Sequence, residues 1–181
     1  SNEVGVSQRH KGKWDTTKYR IKASSSTLIQ NDIANIRIEG LQLYQTSTAT
    51  DWRGGITNGP AGGPNAVADI RISDLILKSD NVSGNNCYGL QMIGQVSGSQ
   101  MRVYNNIIYG GFAIGIYLSD PDFDFYVCNN TVIGCNYGFF GSTTTTVKNN
   151  IVQNSSIGYA ESGSFHASSD YNISDIAGDA P

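Results

Sequence analysis

The chain has 181 residues and a net charge of −3; 15% of its residues are charged, 39% are hydrophobic, and Gly (21) and Asn (17) are abundant. That length suits one domain, and short Ile, Val, Leu and Tyr runs throughout argue for a folded β-rich protein over a disordered one. The mild acidity speaks against nucleic acid or an anionic membrane surface as partner, and no stretch approaches the roughly 18 apolar residues of a membrane span.

The charge is unevenly spread. Six of the twelve basic residues, Arg9, Lys11, Lys13, Lys18, Arg20 and Lys22, lie in the first 22 positions. Residues 1–18 show no repeat and are expected to form an N-terminal segment that caps the first structural unit, because an open sheet edge needs cover. The repeating body is expected over 19–175. Residues 176–181 follow as a C-terminal tail without a recognisable cap, the pattern of a piece of a longer protein.

From position 36 onward one pattern recurs. Its first copies, 36-IRIEGLQL-43 and 70-IRISDLIL-77, lack asparagine; the next three, 101-MRVYNNII-108, 125-FYVCNNTV-132 and 145-TTVKNNIV-152, carry an Asn pair; 167-ASSDYNIS-174 is a worn last copy. Taking Ile38, Ile72, Val103, Val127, Val147 and Ser169 as equivalent gives spacings of 34, 31, 24, 20 and 22. A second series keeps the same phase: 54-GGI-56, 88-YGL-90, 114-IGI-116, 137-YGF-139 and 157-IGY-159. Two series in constant phase mark an internal repeat.

Each unit holds three short strands separated by turns, which predicts coils stacked at the roughly 4.8 Å interstrand spacing around a continuous apolar column. The x-G-Φ segment is the first strand, Φ-x-Φ the second and the post-Asn pair the third. The Asn pair makes the turn between second and third, since Asn tolerates the left-handed conformation and identical amides can bond from coil to coil. The expected pairs are Asn105/Asn106, Asn129/Asn130 and Asn149/Asn150, with Asn172 continuing one row. Cys87, Cys128 and Cys135 form no C-x-x-C pair and read as structural thiols.

On this repeat grammar, V-x-N-N-x-V followed by G-Φ, residues 17–175 resemble the right-handed parallel β-helix superfamily, whose fold is shared by pectate lyases, polygalacturonases and many phage and cell-surface proteins. The resemblance implies an all-β fold, a right-handed parallel β-helix (solenoid) of about six to seven coils, with an extracellular or cell-surface location. The tripeptide 20-RIK-22 occurs in the polygalacturonase signature, but the Asn-Thr-Asp, Asp-Asp and Gly-His-Gly elements that precede it there are missing here.

Long loops on a regular scaffold are where binding usually resides. They fall at 44-YQTSTATDWR-53, 57-TNGPAGGPNAVAD-69, 78-KSDNVSGNNC-87, 93-IGQVSGSQ-100 and 119-SDPDFD-124. In the resembled family such loops flank a groove along the first sheet, where polysaccharide lies. Candidate carbohydrate contacts are Trp52 and Arg53 in the first loop, and Gln91, Tyr117 and Phe140 on one outward row of the first strands. On the second strands, Arg37, Arg71 and Arg102 form a row beside Asp69 and Asp124. It reads either as a neutralised solvated face or as a surface for an acidic polysaccharide.

Candidate catalytic residues are Arg71, Arg102, Asp122 and Asp124. A hydrolase needs two carboxylates flanking the bond; a lyase needs a base such as Arg71, Arg102 or Lys148, with Tyr104 or Tyr126 as proton donor. Asp120, Asp122 and Asp124 are also weak candidates for Ca²⁺, while a polar turn shaped by Asp-Pro is the favoured reading of the cluster. No other cofactor is expected. His166 sits on an outward position without a visible partner. No complete catalytic set emerges. The expected function is an extracellular β-helix module that binds glycan or serves a cell-surface or structural role. The alternative is a polysaccharide lyase or glycoside hydrolase acting on an acidic polysaccharide.

Overall fold

The computed structural model describes residues 9–24, 26–46, 53–59, 69–80, 87–92, 98–118, 120, 123–162 and 164–181. Among them every regular element is a strand and every strand pairing is parallel. Three strands make a coil. The first holds β1 (Arg20–Ala23), β2 (Ile29–Asn31) and β3 (Asn35–Glu39), and the second β4 (Gln42–Gln45), β5 (Arg53–Asn58) and β6 (Asp69–Ser73). The third holds β7 (Ile76–Ser79), β8 (Cys87–Met92) and β9 (Ser99–Tyr104), and the fourth β10 (Ile107–Gly110), β11 (Ile114–Leu118) and β12 (Phe123–Cys128). The fifth holds β13 (Thr131–Ile133), β14 (Tyr137–Ser142) and β15 (Thr145–Lys148). The sixth holds β16 (Ile151–Gln153) and β17 (Ile157–Ser162), and β18 (Ile173–Ser174) opens a seventh.

Like strands stack into three sheets: A, β1-β4-β7-β10-β13-β16-β18; B, β2-β5-β8-β11-β14-β17; and C, β3-β6-β9-β12-β15. This is the all-β parallel solenoid that the repeats predict. The repeat equivalences hold as register, since Ile38, Ile72, Val103, Val127 and Val147 pair in succession. The Lys148–Asp170 bridge carries the register into the last copy.

The alternation of apolar residues fixes which face turns inward. Sheet C contributes Ile38, Ile72, Val103, Val127 and Val147; sheet A contributes Leu43, Leu77, Ile108, Val132 and Val152; sheet B contributes Ile56, Leu90, Ile116, Phe139 and Tyr159. None of these is more than 6% exposed. Removing each from water stabilises by roughly 1.5–3 kcal/mol, which is why the column sets the fold.

The Asn pairs divide their work. The first member of each, Asn105, Asn129 and Asn149, adopts positive φ (57°, 57° and 54°) and is exposed. Gly40 and Asp74 hold the same turn position upstream, and Tyr171 downstream, with φ of 69°, 54° and 58°. The second member turns inward and is buried: Asn106, Asn130 and Asn150 are at most 1% exposed. Asn106 Nδ2 donates to Asn130 Oδ1 (2.9 Å), Asn130 to Asn150 (3.0 Å) and Asn150 to Asn172 (3.0 Å). Each Oδ1 also takes the backbone N–H of the preceding coil's residue, from Leu75 to Asn106 and onward to Asn172. The second Nδ2 hydrogen reaches the carbonyl of Ile72, Val103, Val127 or Val147. A buried amide so fully satisfied stabilises the turn; left unpaired, it would destabilise it.

The Gly series has its own cause. A Cβ on Gly89 would lie 2.4 Å from the Gly115 carbonyl oxygen, and one on Gly138 would lie 2.5 Å from that of Gly158. The coils approach too closely there for any side chain.

Residues 9–18 lie along sheet A and its turns. His10 Nε2 bonds the Asp74 carbonyl (2.7 Å), and Asp15 and Gln42 exchange backbone–amide bonds (2.6 and 2.9 Å). Trp14 meets Tyr44 edge-on at 5.7 Å. At the other end the tail folds back over the last coil. Asp179 Oδ2 accepts the N–H groups of Gly158 (2.7 Å) and Tyr159 (3.3 Å), and Asp175 accepts that of Asn154 (2.7 Å).

Candidate functional site

The outward face of sheet C carries the densest set of polar and charged rows. In register run Arg37, Arg71, Arg102, Tyr126 and Thr146, flanked by Asn35, Asp69, Gln100 and Asp124. Asp69 is the hub of its upstream half. Arg71 grips both oxygens, Nη2 donating to Oδ2 (2.7 Å) and Nε to Oδ1 (3.3 Å), and Arg102 Nη1 donates to the same Oδ1 at 2.6 Å. Arg102 Nη2 also donates to Gln100 Oε1 (2.6 Å). The hydrogen bond from Arg71, reinforced by the nearby guanidinium charges, holds the Asp69 carboxyl below the usual carboxylate range. The arginine row is thus partly self-neutralised, and its ion pairs, with side chains 31–42% exposed, contribute little stability.

Downstream the same face opens into a trough of about 430 Å³ lined by Asp124, Tyr126, Cys128, Thr144, Thr146, Lys148, His166 and Ser168 with the backbone of Val127. Coil stacking brings these together. The chain after β17 returns beside β15 through the His166 N–H to Thr145 carbonyl bond (3.0 Å). Ser168 N–H donates to His166 Nδ1 at 3.1 Å, so the neutral ring carries its proton on Nε2. Tyr126 is 42% exposed, a large aromatic open to solvent. Lys148 has no ion-pair partner among the described residues. Burial pushes the Cys128 thiol up, which keeps it protonated and weakly nucleophilic at neutral pH.

The other predicted positions fall elsewhere. Tyr117 and Phe140 share a row on sheet B and stack on one another at 5.3 Å, with Tyr88 against Tyr117 at 5.2 Å. These rings spend their faces on each other. Gln91, in the same row, is 6% exposed. Trp52 and Asp122 lie outside the described residues, as does the side chain of Arg53, whose backbone begins β5. Asp120 is buried, its carbonyl accepting from Thr144 Oγ1 (3.2 Å). Asp124 is exposed in the trough. Among the described residues no three His, Cys, Asp or Glu side chains gather as a metal site, and no helix is long and apolar enough to cross a membrane.

One cluster escaped the sequence reading. Lys22, Tyr44, Lys78 and Tyr109 share an outward row of sheet A. Lys22 and Lys78 ammoniums stand 5.3 and 4.7 Å from the Tyr44 ring centre, and Asp80 takes the Tyr44 hydroxyl and the Lys78 ammonium (3.1 Å). The signal was present in the repeat register, though Asp80 lies just past the strand.

The trough can offer an ammonium, an imidazole, a carboxylate, a phenol ring and three hydroxyls within one open cavity. That combination suits hydrogen bonding to a polyhydroxylated ligand with one apolar face. Among the described residues Asp124 is the one carboxylate lining it, whereas glycoside hydrolysis uses a pair. Comparison with models of protein families finds no match for this chain, and neither the curated proteins nor the solved structures yield one.

Proposed function

We propose that this protein is a glycan-binding β-helix module working outside the cell or at a cell surface, with its ligand seated in the sheet C trough. The supporting observation is the trough itself: an exposed tyrosine ring surrounded by side chains that donate and accept hydrogen bonds, on the paired strands of sheet C. A saccharide ring packs its C–H face on Tyr126. Its hydroxyls engage Asp124, Lys148, His166 and the Thr and Ser hydroxyls. The test is a glycan array followed by calorimetric titration of any ligand found. Tyr126→Ala is expected to weaken binding about tenfold or more, equivalent to about 1.4 kcal/mol or more, while Phe140→Ala on sheet B leaves it unchanged. An array without a ligand, or equal affinity in the Tyr126 variant, would overturn the reading.

A second reading is that the trough cleaves an acidic polysaccharide. It is favoured by Asp124, Lys148 and His166 lining one cavity, since a base beside a carboxylate-bearing sugar could abstract a proton. Incubation with uronate polysaccharides, following unsaturated product, separates the two. Turnover abolished in Lys148→Ala or His166→Ala would establish the catalytic reading.

A further inference from the structure

We infer that His166 makes the sheet C trough acid-sensitive: its neutral imidazole holds the trough wall in shape, and protonation releases that wall at Ser168.

The inference rests on the reading of the trough as a ligand site and concerns how that site is regulated. Its ground is a bond that one protonation state alone can make. The Ser168 N–H donates to His166 Nδ1 at 3.1 Å. A backbone N–H can only donate, so Nδ1 is the unprotonated nitrogen of the ring. An imidazolium carries a hydrogen on both nitrogens, and its Nδ1–H would face the Ser168 N–H, donor against donor. The bond is therefore lost in the charged ring.

The surroundings decide what that loss moves. The chain on either side of Ser168 is tied to the solenoid by bonds that do not involve the imidazole. His166 N–H donates to the Thr145 carbonyl (3.0 Å), Asp170 N–H to the Val147 carbonyl (3.1 Å) and Val147 N–H to Ser169 Oγ (3.2 Å). A turn bond from the Ser169 N–H to the His166 carbonyl (2.8 Å) closes the segment. The segment thus stays docked while Ser168 and the ring turn to solvent, and both of them line the trough.

Charge changes with shape. Facing the ring across the trough are Asp124, Tyr126 and Cys128 from β12 and Lys148 from β15; Glu161 and Asp170 lie in its own stretch of chain. With a neutral imidazole the Asp124 and Lys148 charges cancel among the described lining residues, and protonation adds one positive charge. A ligand seated by hydrogen bonds to this wall loses the placement of two partners, so it binds less tightly in acid. The second histidine of the chain, His10, accepts the Gly12 N–H at 3.2 Å in the same way, but it stands on the turns beside sheet A, where its Nε2 bonds the Asp74 carbonyl. It serves as an internal comparison outside the trough.

The test has two parts. The first is NMR of the ligand-free 181-residue chain between about pH 5 and about pH 8, the range in which histidine ordinarily changes charge. Ring ¹⁵N shifts should show His166 Nδ1 without a proton at the upper end. As the ring charges, the temperature coefficient of the Ser168 amide shift should become more negative, the sign of an N–H passing to water. His166→Gln should remove that change and His10→Gln should leave it. The second is calorimetry with whichever glycan the array identifies. Affinity should fall roughly threefold or more between about pH 7.5 and about pH 5.5, the scale of one lost hydrogen bond, and His166→Gln should abolish the fall. A proton on Nδ1 of the neutral ring, or a Ser168 amide unchanged by ring titration, would overturn the inference whether or not a glycan is found. So would equal affinity at the two pH values. An array without a ligand defeats the glycan reading alone, and the Ser168 measurement then decides the switch.

Discussion

At the scale of single residues, two asparagines of one dipeptide have opposite roles, and substitution should separate them. Asn130 offers its amide to Val103, Cys128 and Asn150 and receives Asn106. Asn130→Ala leaves several buried partners unpaired at about 1–3 kcal/mol each, so a loss of about 3 kcal/mol or more is expected in urea unfolding. Asn129→Ala loses only the left-handed preference, about 1–2 kcal/mol, and Asn129→Gly should be near neutral. The thiols divide in the same way. Cys87 and Cys135 are buried and Cys128 is half-buried, and no disulfide joins them. Burial raises the Cys135 thiol to about 12, whereas an unfolded thiol ionises near 8.5. The folded chain keeps a proton that the unfolded chain releases, so this contribution is complete below about pH 8.5 and is lost as pH rises toward about 12. The urea midpoint should therefore drop between about pH 8 and about pH 10, and Cys135→Ala should flatten that drop. A thiol reagent at neutral pH should label Cys128 first.

At the scale of strands and turns, the close approach of neighbouring coils is the most restrictive feature. Gly89→Ala places a methyl group 2.4 Å from a backbone oxygen and 2.8 Å from Ile108 Cγ2. Since neither the carbonyl nor the packed core can give way cheaply, the variant should lose about 2–4 kcal/mol, read as a lowered urea midpoint or as insoluble protein. Gly98→Ala, with nothing near its Cβ but a φ of 85°, should cost only backbone strain. Strands and register were legible in the sequence because inward apolar residues recur at period two and every coil repeats them. The split within each Asn pair was not, since both members have the same chemistry and only the direction of the chain at the turn decides which is buried. The rows that line the trough were legible residue by residue, His166 included. Its concavity was not, because that depends on how the returning chain beside β15 closes the face. The burial of Gln91, predicted as an open contact, likewise depends on what packs over its row, which alternation along one strand cannot reveal.

At the scale of the whole molecule, each coil touches only its neighbours, so stability is close to a sum of coil and interface contributions. Those contributions are unequal. The three Asn-bearing coils and the Asn172 turn share one uninterrupted amide row, whereas Leu41 and Leu75 stand at that position in the first two. Every amide in the row points the same way, donating toward the later coil, so no single side chain can flip without setting two donors face to face, and the row is kept or lost as one unit. Opening should then proceed directionally, like a rope unlaying from its free end. In hydrogen–deuterium exchange the N–H groups of Asn106, Asn130 and Asn150 should be the last to exchange, those of β1 to β3 the first, and Asn130→Ala should let the fray run through to the far end.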